Sequence, residues 1–227
     1  MLPALKLLIN MLFPARCIFC GSILDIGTET DICKSCFDEI PFYDDTLIKP
    51  DTLSLQKGGC DYIICACHYS GIVKDSLLRF KFFNKPGYYR AFAGLLRDKI
   101  KKMTDFLDFD IIISIPLHKQ KEDTRGYNQS LLIAKELSKQ LGIPEGSNLL
   151  RRVRYTRSQS LLAKAERYIN VKDAFRVRDV DKISGRSILL VDDIFTTGST
   201  LDECSRVLKA AGARMVVGAV IASGRKY

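Results

Sequence analysis

The dipeptide Gly-Lys occurs nowhere in this chain, and that absence removes a large class of nucleotide enzymes. A phosphate loop of the G-x-x-x-x-G-K-[ST] type needs its lysine against the terminal phosphates, so a Walker-type NTPase is excluded. The chain also lacks an apolar run of bilayer length. Met1–Phe13 is apolar, but it is too short to span, carries Lys6 and Asn10, and is followed by no small-residue cleavage site. It is expected as a helix docked on its own protein, with an interfacial membrane helix as the alternative. A membrane span is therefore not expected, and the cytoplasm is the expected compartment. No internal repeat or low-complexity tract is present, which argues against a solenoid. Histidine is limited to two residues, and no general base can be assigned from the sequence.

What is present describes a globular protein. The 227 residues are 47% hydrophobic and 27% charged, enough for one full core plus a small appendage. A formal net charge of +9 favours acidic partners, whether phosphates, nucleic acid or a membrane surface, and does not choose among them.

The eight cysteines are not arranged as a disulfide framework. Cys17-x-x-Cys20 and Cys33-x-x-Cys36 are separated by about a dozen residues, with Gly21 beside the first pair. Each C-x-x-C forms a knuckle that aims two thiolates at one ion, and two knuckles complete a tetrahedral four-sulfur shell for zinc. Four protein ligands leave no open position, so the metal is expected to be structural. The competing reading, redox-active or buried free cysteines, does not explain two pairs in so short a segment. Cys60, Cys65, Cys67 and His68 form a second group whose simplest reading is buried small hydrophobes with a partly exposed histidine. Within a strand, Cys65 and Cys67 would share one face and His68 the other. Residues 1–45 are thus expected to form an N-terminal helix and zinc-finger domain.

Past a polar connector at Asp44–Gly59, Tyr62–Tyr69 is a β-type run. Two helical patterns follow, separated by the breaker Asn84-Lys85-Pro86-Gly87; Val73, Leu77 and Phe80 share a face of the first, and Phe92, Leu95, Leu96, Ile100 and Met103 lie at helical spacing in the second. From Asp110 the pattern becomes strand–loop–helix. Ile111–Ile115, Ile188–Val191 and Met215–Ile221 are continuous apolar strands. The helix faces between and after them are Ile133, Ala134, Leu137 and Leu141, then Leu201, Cys204, Leu208 and Ala211. This alternation predicts an α/β fold, a parallel sheet covered by helices, over residues 60–227. Ligands of such sheets sit at the carboxyl ends of the strands, which singles out Asp192–Thr200 and Pro116–Asn128.

The first of these loops is the most informative stretch. In Ile188-Leu189-Leu190-Val191-Asp192-Asp193-Ile194-Phe195-Thr196-Thr197-Gly198-Ser199-Thr200, a buried strand leads into two carboxylates and then a hydroxyl–glycine turn before a helix. The helix start offers backbone N–H groups to a phosphate. The carboxylates accept hydrogen bonds from vicinal sugar hydroxyls or hold hydrated magnesium. A receiver-type acidic pocket would not need the hydroxyl-rich turn. The motif resembles the phosphoribosyl-diphosphate signature of type I phosphoribosyltransferases. That resemblance implies that Asp192 and Asp193 address the ribose and that Thr196, Thr197, Gly198, Ser199 and Thr200 wrap the sugar phosphate, with magnesium accompanying phosphoribosyl diphosphate. It also implies a diphosphate site at the Ser114-Ile115-Pro116-Leu117 loop. Pro116, Leu117, Arg125 and Asn128 are the candidates there, and His118, Lys119 and Lys121 are nearby cations that would offset charge on departing diphosphate.

The chain as a whole resembles the ComF family. The matching features are Phe13-Pro14 and the paired C-x-x-C knuckles, Tyr69-Ser70-Gly71, and Arg79-Phe80-Lys81-Phe82. Further along they are Arg125-Gly126-Tyr127-Asn128-Gln129, then Arg152, Thr156, Gln159, Leu162, Arg167 and Asn170, and finally the DDIFTTGST loop. Tyr127 and Ile115 stand where phenylalanine and valine are common. The resemblance implies a zinc finger joined to a phosphoribosyltransferase-like domain, and a role in natural competence and the handling of single-stranded DNA, with a competence helicase as a partner. Basic residues interleaved with aromatics between Lys74 and Lys102, and Arg151, Arg152, Arg154 and Arg157 with Tyr155, suit a single strand; the same residues also serve as helix faces and solvated surface. Arg152, Gln159, Arg167 and Asn170 line the pocket or only support it, and the sequence does not decide which. Three functions stay open: a competence factor with a phosphoribosyl-diphosphate pocket, a phosphoribosyltransferase of nucleotide metabolism, and a non-catalytic single-stranded DNA-binding module. The acceptor and the occurrence of turnover are also open.

Overall fold

The computed structural model describes residues 13–25, 28, 30–43, 47, 59–103, 107–156 and 164–224. The expected N-terminal helix, most of the connector, and Arg157, Gln159 and Leu162 lie outside them. Along the described chain run α1 (Lys34–Asp38), β1 (Tyr62–His68), α2 (Gly71–Phe82), α3 (Tyr89–Lys101), β2 (Ile111–Ser114), α4 (Lys119–Arg125) and α5 (Gln129–Leu141). They are followed by β3 (Leu150–Arg152), α6 (Lys164–Val171), β4 (Phe175–Val177), β5 (Ser187–Phe195), α7 (Ser199–Ala210) and β6 (Met215–Ser223).

The central sheet is parallel in the order β1-β6-β5-β2, and β3 and β4 form a separate antiparallel pair. Its strands are apolar on both faces because both faces are covered. Leu189, Val191, Val217 and Ala219 join one buried cluster, and Ile188, Leu190, Val216 and Val220 join the other. This alternation is the period-two pleat expressed inside continuous hydrophobic runs. On the first face, Val73, Leu77 and Phe80 of α2 pack with Phe92, Leu96 and Ile100 of α3 and with Ile133, Ala134 and Leu137 of α5. On the second, Leu201, Cys204 and Leu208 of α7 cover the sheet together with Leu150 and Phe175 of the small pair. Ile18, Phe19, Leu24, Ile32 and Ile40, which surround the cysteine knuckles, belong to the first cluster. The zinc-finger segment therefore shares one core with the helices over the sheet.

Three details depart from the sequence reading. Strand β5 continues past Val191 through both aspartates to Phe195, because β6 pairs with it as far as Phe195↔Ser223. The partner on its other side stops earlier, at Ser114↔Val191. Asp192 and Asp193 thus lie on a strand with one open edge, not in a loop. The stretch after Leu117 is not wholly loop: α4 forms there, with Gly126 at φ 84° ending it. Finally, Cys65 and Cys67, although both feel the Lys99 charge, pack into different buried clusters.

Candidate functional site

The acidic wall comes from the open edge of β5. Ser130, in the first turn of α5, donates from Oγ to Asp192 Oδ1 at 3.0 Å, and the Asp193 amide donates to the same oxygen at 2.9 Å. Lys81 Nζ is 2.9 Å from Asp193 Oδ1. Burial, reinforced by the adjacent Asp193 charge, pushes the Asp192 carboxyl up to about 7. Both aspartates line a cleft of about 410 Å³ together with Leu117, Lys121, Arg125, Gln129, Thr196 and Thr200, a size suited to a small ligand.

The same cleft is also lined by cations. Lys121, Arg125 and Arg152 reach the cleft from α4 and β3, and among the described residues no carboxylate pairs with any of them. Burial, then the Arg152 and Arg125 charges, push the Lys121 ammonium down to about 8. Arg152 is also lowered, chiefly by burial, and its Nε is buried without a hydrogen-bond partner among the described residues. Gln129 Nε2 is in the same position, although its Oε1 accepts from Arg125 Nη1 at 2.7 Å. Crowded cations and unpartnered donors are unfavourable unless an anion meets them.

The floor of the cleft is the turn into α7. Gly198 has φ 87°, the left-handed region, and caps the helix by its backbone. The side chains around it divide. Thr196 and Thr200 line the cleft, whereas the Thr197 and Ser199 hydroxyls are buried 2.8 Å from each other. Of the hydroxyls expected to wrap a phosphate, Thr196 and Thr200 therefore line the cleft, while Thr197 and Ser199 bond each other within the turn. Replacing Gly198 with valine is expected to cost about 1–2 kcal/mol, from forcing a β-branched residue into left-handed geometry, and to weaken anion binding. Chemical denaturation and calorimetry check both.

Asn128 serves the loop beside the cleft. It is buried, accepts from the Ser130 and Leu131 amides as the N-cap of α5, and donates to the Ile115 carbonyl at 3.0 Å. It fixes the loop's shape and does not line the cleft, nor does Pro116. Lys81, Ser130 and Gln129 line the cleft without having been assigned to it from the sequence. A signal for Lys81 was available: Leu78, Lys81 and Phe82 fall at i, i+3 and i+4 of α2, a second stripe beside the buried one, and all three line the cleft. Of the undecided residues, Arg152 and Arg167 line it.

The four knuckle cysteines place one thiol each within 4.8 Å of one another, the only such cluster of potential metal ligands among the described residues. Ser22 bonds the Cys20 thiol at 3.0 Å and holds it down at about 6, toward the thiolate that binds metal. Burial and the neighbouring thiols push Cys36 up. Donor set and spacing both fit tetrahedral zinc. Arg79 of α2 binds this element to the rest, donating from Nη2 to the carbonyls of Ile18 and Phe19 at 2.9 and 2.8 Å. Cys60, Cys65, Cys67 and Cys204 are instead buried, and burial raises each thiol, Cys60 and Cys65 to about 12.

Family models match both parts: a phosphoribosyl transferase domain over residues 128–227 and a double zinc ribbon domain over residues 8–47. The chain is 32% identical over 214 residues to Competence protein F of Haemophilus influenzae, covering 88% of this chain and 93% of that protein. It belongs to the ComF family. A second ComF-family relative, DNA utilization protein YhgH of Escherichia coli K12, is 38% identical over 218 residues, covering 89% of this chain and 94% of its own. Competence protein ComFC of Bacillus subtilis is 31% identical over 144 residues, 63% of this chain and 56% of that protein. This ComF-family chain thus joins a zinc ribbon to a phosphoribosyltransferase-type parallel sheet. No described helix is long and apolar enough to cross a membrane.

Proposed function

We propose that this protein binds magnesium phosphoribosyl diphosphate in the cleft between β5 and α4, and that it does so in the service of DNA handling during competence. The observation that carries the reading is the meeting of paired carboxylates and clustered cations in one small cleft. Asp192 and Asp193 offer acceptors, and Lys121, Arg125 and Arg152 line the same cleft with no salt-bridging carboxylate among the described residues. A ligand with vicinal hydroxyls, a phosphate and a diphosphate satisfies both sets of groups and the α7 turn together. The ribose hydroxyls, with the magnesium, would meet the carboxylates, the 5-phosphate the Thr196–Thr200 turn, and the diphosphate the cations. If the bound ligand reacts, a nitrogen nucleophile bonds to C1 and gives up its proton to solvent as the C1–oxygen bond breaks with its electron pair leaving on diphosphate, and the same cations stabilise that charge.

The DNA part of the reading has its own support. Beside the cleft, and sharing Lys81, Phe82, Lys121 and Arg125 with it, is a groove of about 760 Å³ that extends to Tyr155. The Arg125 guanidinium lies 5.5 Å from the Phe82 ring and Lys121 Nζ lies 5.7 Å from the Tyr155 ring. Both rings are largely exposed. Exposed rings beside such cations suit the bases and phosphates of a single strand, and the names Competence protein F and DNA utilization protein YhgH point the same way. A DNA-translocating helicase is the protein partner this reading implies.

Isothermal titration with phosphoribosyl diphosphate in magnesium buffer tests the pocket. Saturable binding at about one site per chain is expected, and its absence refutes the assignment. Titration of labelled oligothymidylate at rising salt, followed by anisotropy, tests the groove: affinity is expected to fall steeply with salt, and no binding at low salt would remove the DNA part.

A further inference from the structure

Lys81 stands where the two halves of this site meet. It projects from the last turn of α2, pairs with Asp193 at 2.9 Å, and lines both the cleft and the adjoining groove. Among the described residues it is the only cation paired with the acidic wall. Its side chain is mostly buried, so the pairing is shielded from water rather than a transient surface contact. The helix ends just beyond it, with Phe83 as C-cap and Asn84 at φ 49° turning the chain away.

We propose that Lys81 is an exchangeable cation of the site: it neutralises Asp193 before ligand arrives, and transfers its ammonium to the phosphate groups when a magnesium-bound sugar diphosphate takes the acidic wall. This rests on the reading of the cleft as a phosphoribosyl-diphosphate pocket. The reasoning is electrostatic. A dication held near Asp192 and Asp193 would lie within a few ångströms of an ammonium already bound there, and like charges in a partly buried site disfavour each other. The incoming diphosphate at the same moment brings negative charge into the cleft, which Lys121, Arg125 and Arg152 already line. A lysine fits this task because its charge is compact and its four-carbon stem is flexible, so the ammonium moves without moving the helix. The helix itself is held, since Arg79 is anchored on the Ile18 and Phe19 carbonyls and Phe80 is fully buried. Lys81 would then contact the substrate directly, as a catalytic residue wherever diphosphate departs.

The exchange predicts opposite responses to two ligands, which a merely structural lysine would not give. In Lys81→Met, magnesium alone is expected to bind more tightly than in wild type, because its competitor is gone. Magnesium phosphoribosyl diphosphate is expected to bind about tenfold more weakly, the scale of one lost charge-assisted hydrogen bond. Lys81→Arg keeps the charge and is expected to recover most of the second affinity. Calorimetry on all three proteins, with melting curves to verify folding, reads both effects. Magnesium affinity unchanged or reduced in Lys81→Met overturns the exchange, as does phosphoribosyl diphosphate affinity unchanged or increased. Failure of the wild type to bind phosphoribosyl diphosphate refutes the pocket reading instead, so the two failures are distinguishable. Should Lys81→Met not fold, lysine-ammonium NMR of the wild type, assigned through Lys81→Arg, carries the test. The Lys81 resonance is expected to shift on adding magnesium phosphoribosyl diphosphate, and an unmoved resonance at saturation overturns the proposal.

Discussion

Replacing both Asp192 and Asp193 with asparagine is expected to lower affinity for magnesium phosphoribosyl diphosphate by about a hundredfold or more, since each lost charged acceptor is worth about 1.5–3 kcal/mol. Calorimetry against wild type measures it, and retained affinity would move the ligand elsewhere. The same substitution at Asp192 alone has a second, opposite consequence that does not depend on ligand. In Asp192→Asn the side-chain amide oxygen can still accept from Ser130 and from the Asp193 amide, so the local hydrogen bonds survive. In wild type the folded carboxyl titrates near 7, raised by burial and by Asp193, above its ordinary unfolded value. A raised folded value means that the native state holds the proton more tightly, so stability is full below the ordinary carboxylate range and falls as pH rises through about 7. Asp192→Asn is therefore expected to melt higher than wild type at pH 8, with the advantage shrinking toward pH 5. Equal melting temperatures at pH 8 would contradict it. The site thus trades stability for an acceptor pair.

Withdrawing zinc has the other large effect. Apparent zinc-binding energies of four-ligand structural sites are about 10–16 kcal/mol, comparable with the whole stability of a domain, about 5–15 kcal/mol. Here the zinc ribbon does not hang free. Ile18, Phe19, Leu24, Ile32 and Ile40 share a core with Phe80 and Phe92, and Arg79 is held by the knuckle carbonyls. A chelator under reducing conditions is expected to lower the melting temperature by tens of degrees and to weaken phosphoribosyl diphosphate binding along with it, through loosening of α2 beneath Lys81. Restoring zinc should restore both. A chelated, metal-free protein with unchanged melting and unchanged affinity would show that the ribbon contributes nothing to the stability of the sheet. Arg79→Met separates the two effects: it leaves the metal shell intact and is expected to reproduce part of the loss in affinity.

These consequences show what kind of information the chain carries locally. The two C-x-x-C pairs specify a four-thiol cluster because a knuckle is a local structure whose geometry follows from spacing. The continuous apolar runs at Ile111, Ile188 and Met215 specify a parallel sheet because only strands covered on both faces bury every residue. The Thr196–Thr200 turn announces itself because a left-handed glycine before a helix has few substitutes. In each case the responsible forces act over a few residues, or through a periodicity that a single segment displays.

The tertiary structure decided the rest, for reasons of distance along the chain. Strand β5 runs through Asp192 and Asp193 because β6 is long enough to pair with it there and β2 is not, a matter of relative strand lengths that no segment encodes alone. Asn128 caps α5 through its neighbours' amides, and only the fold brings the Ile115 carbonyl within reach of its side-chain amide. Lys81 and Asp193 are far apart in sequence and meet because folding brings the last turn of α2 to the aspartates of β5. Arg79, two residues before Lys81, holds the ribbon. Sequence by itself determined the chemistry available to this protein, a four-thiol cluster and a hydroxyl–glycine turn beside two carboxylates. Folding decided that one helix would link them, because only packing brings groups so distant in the chain into contact.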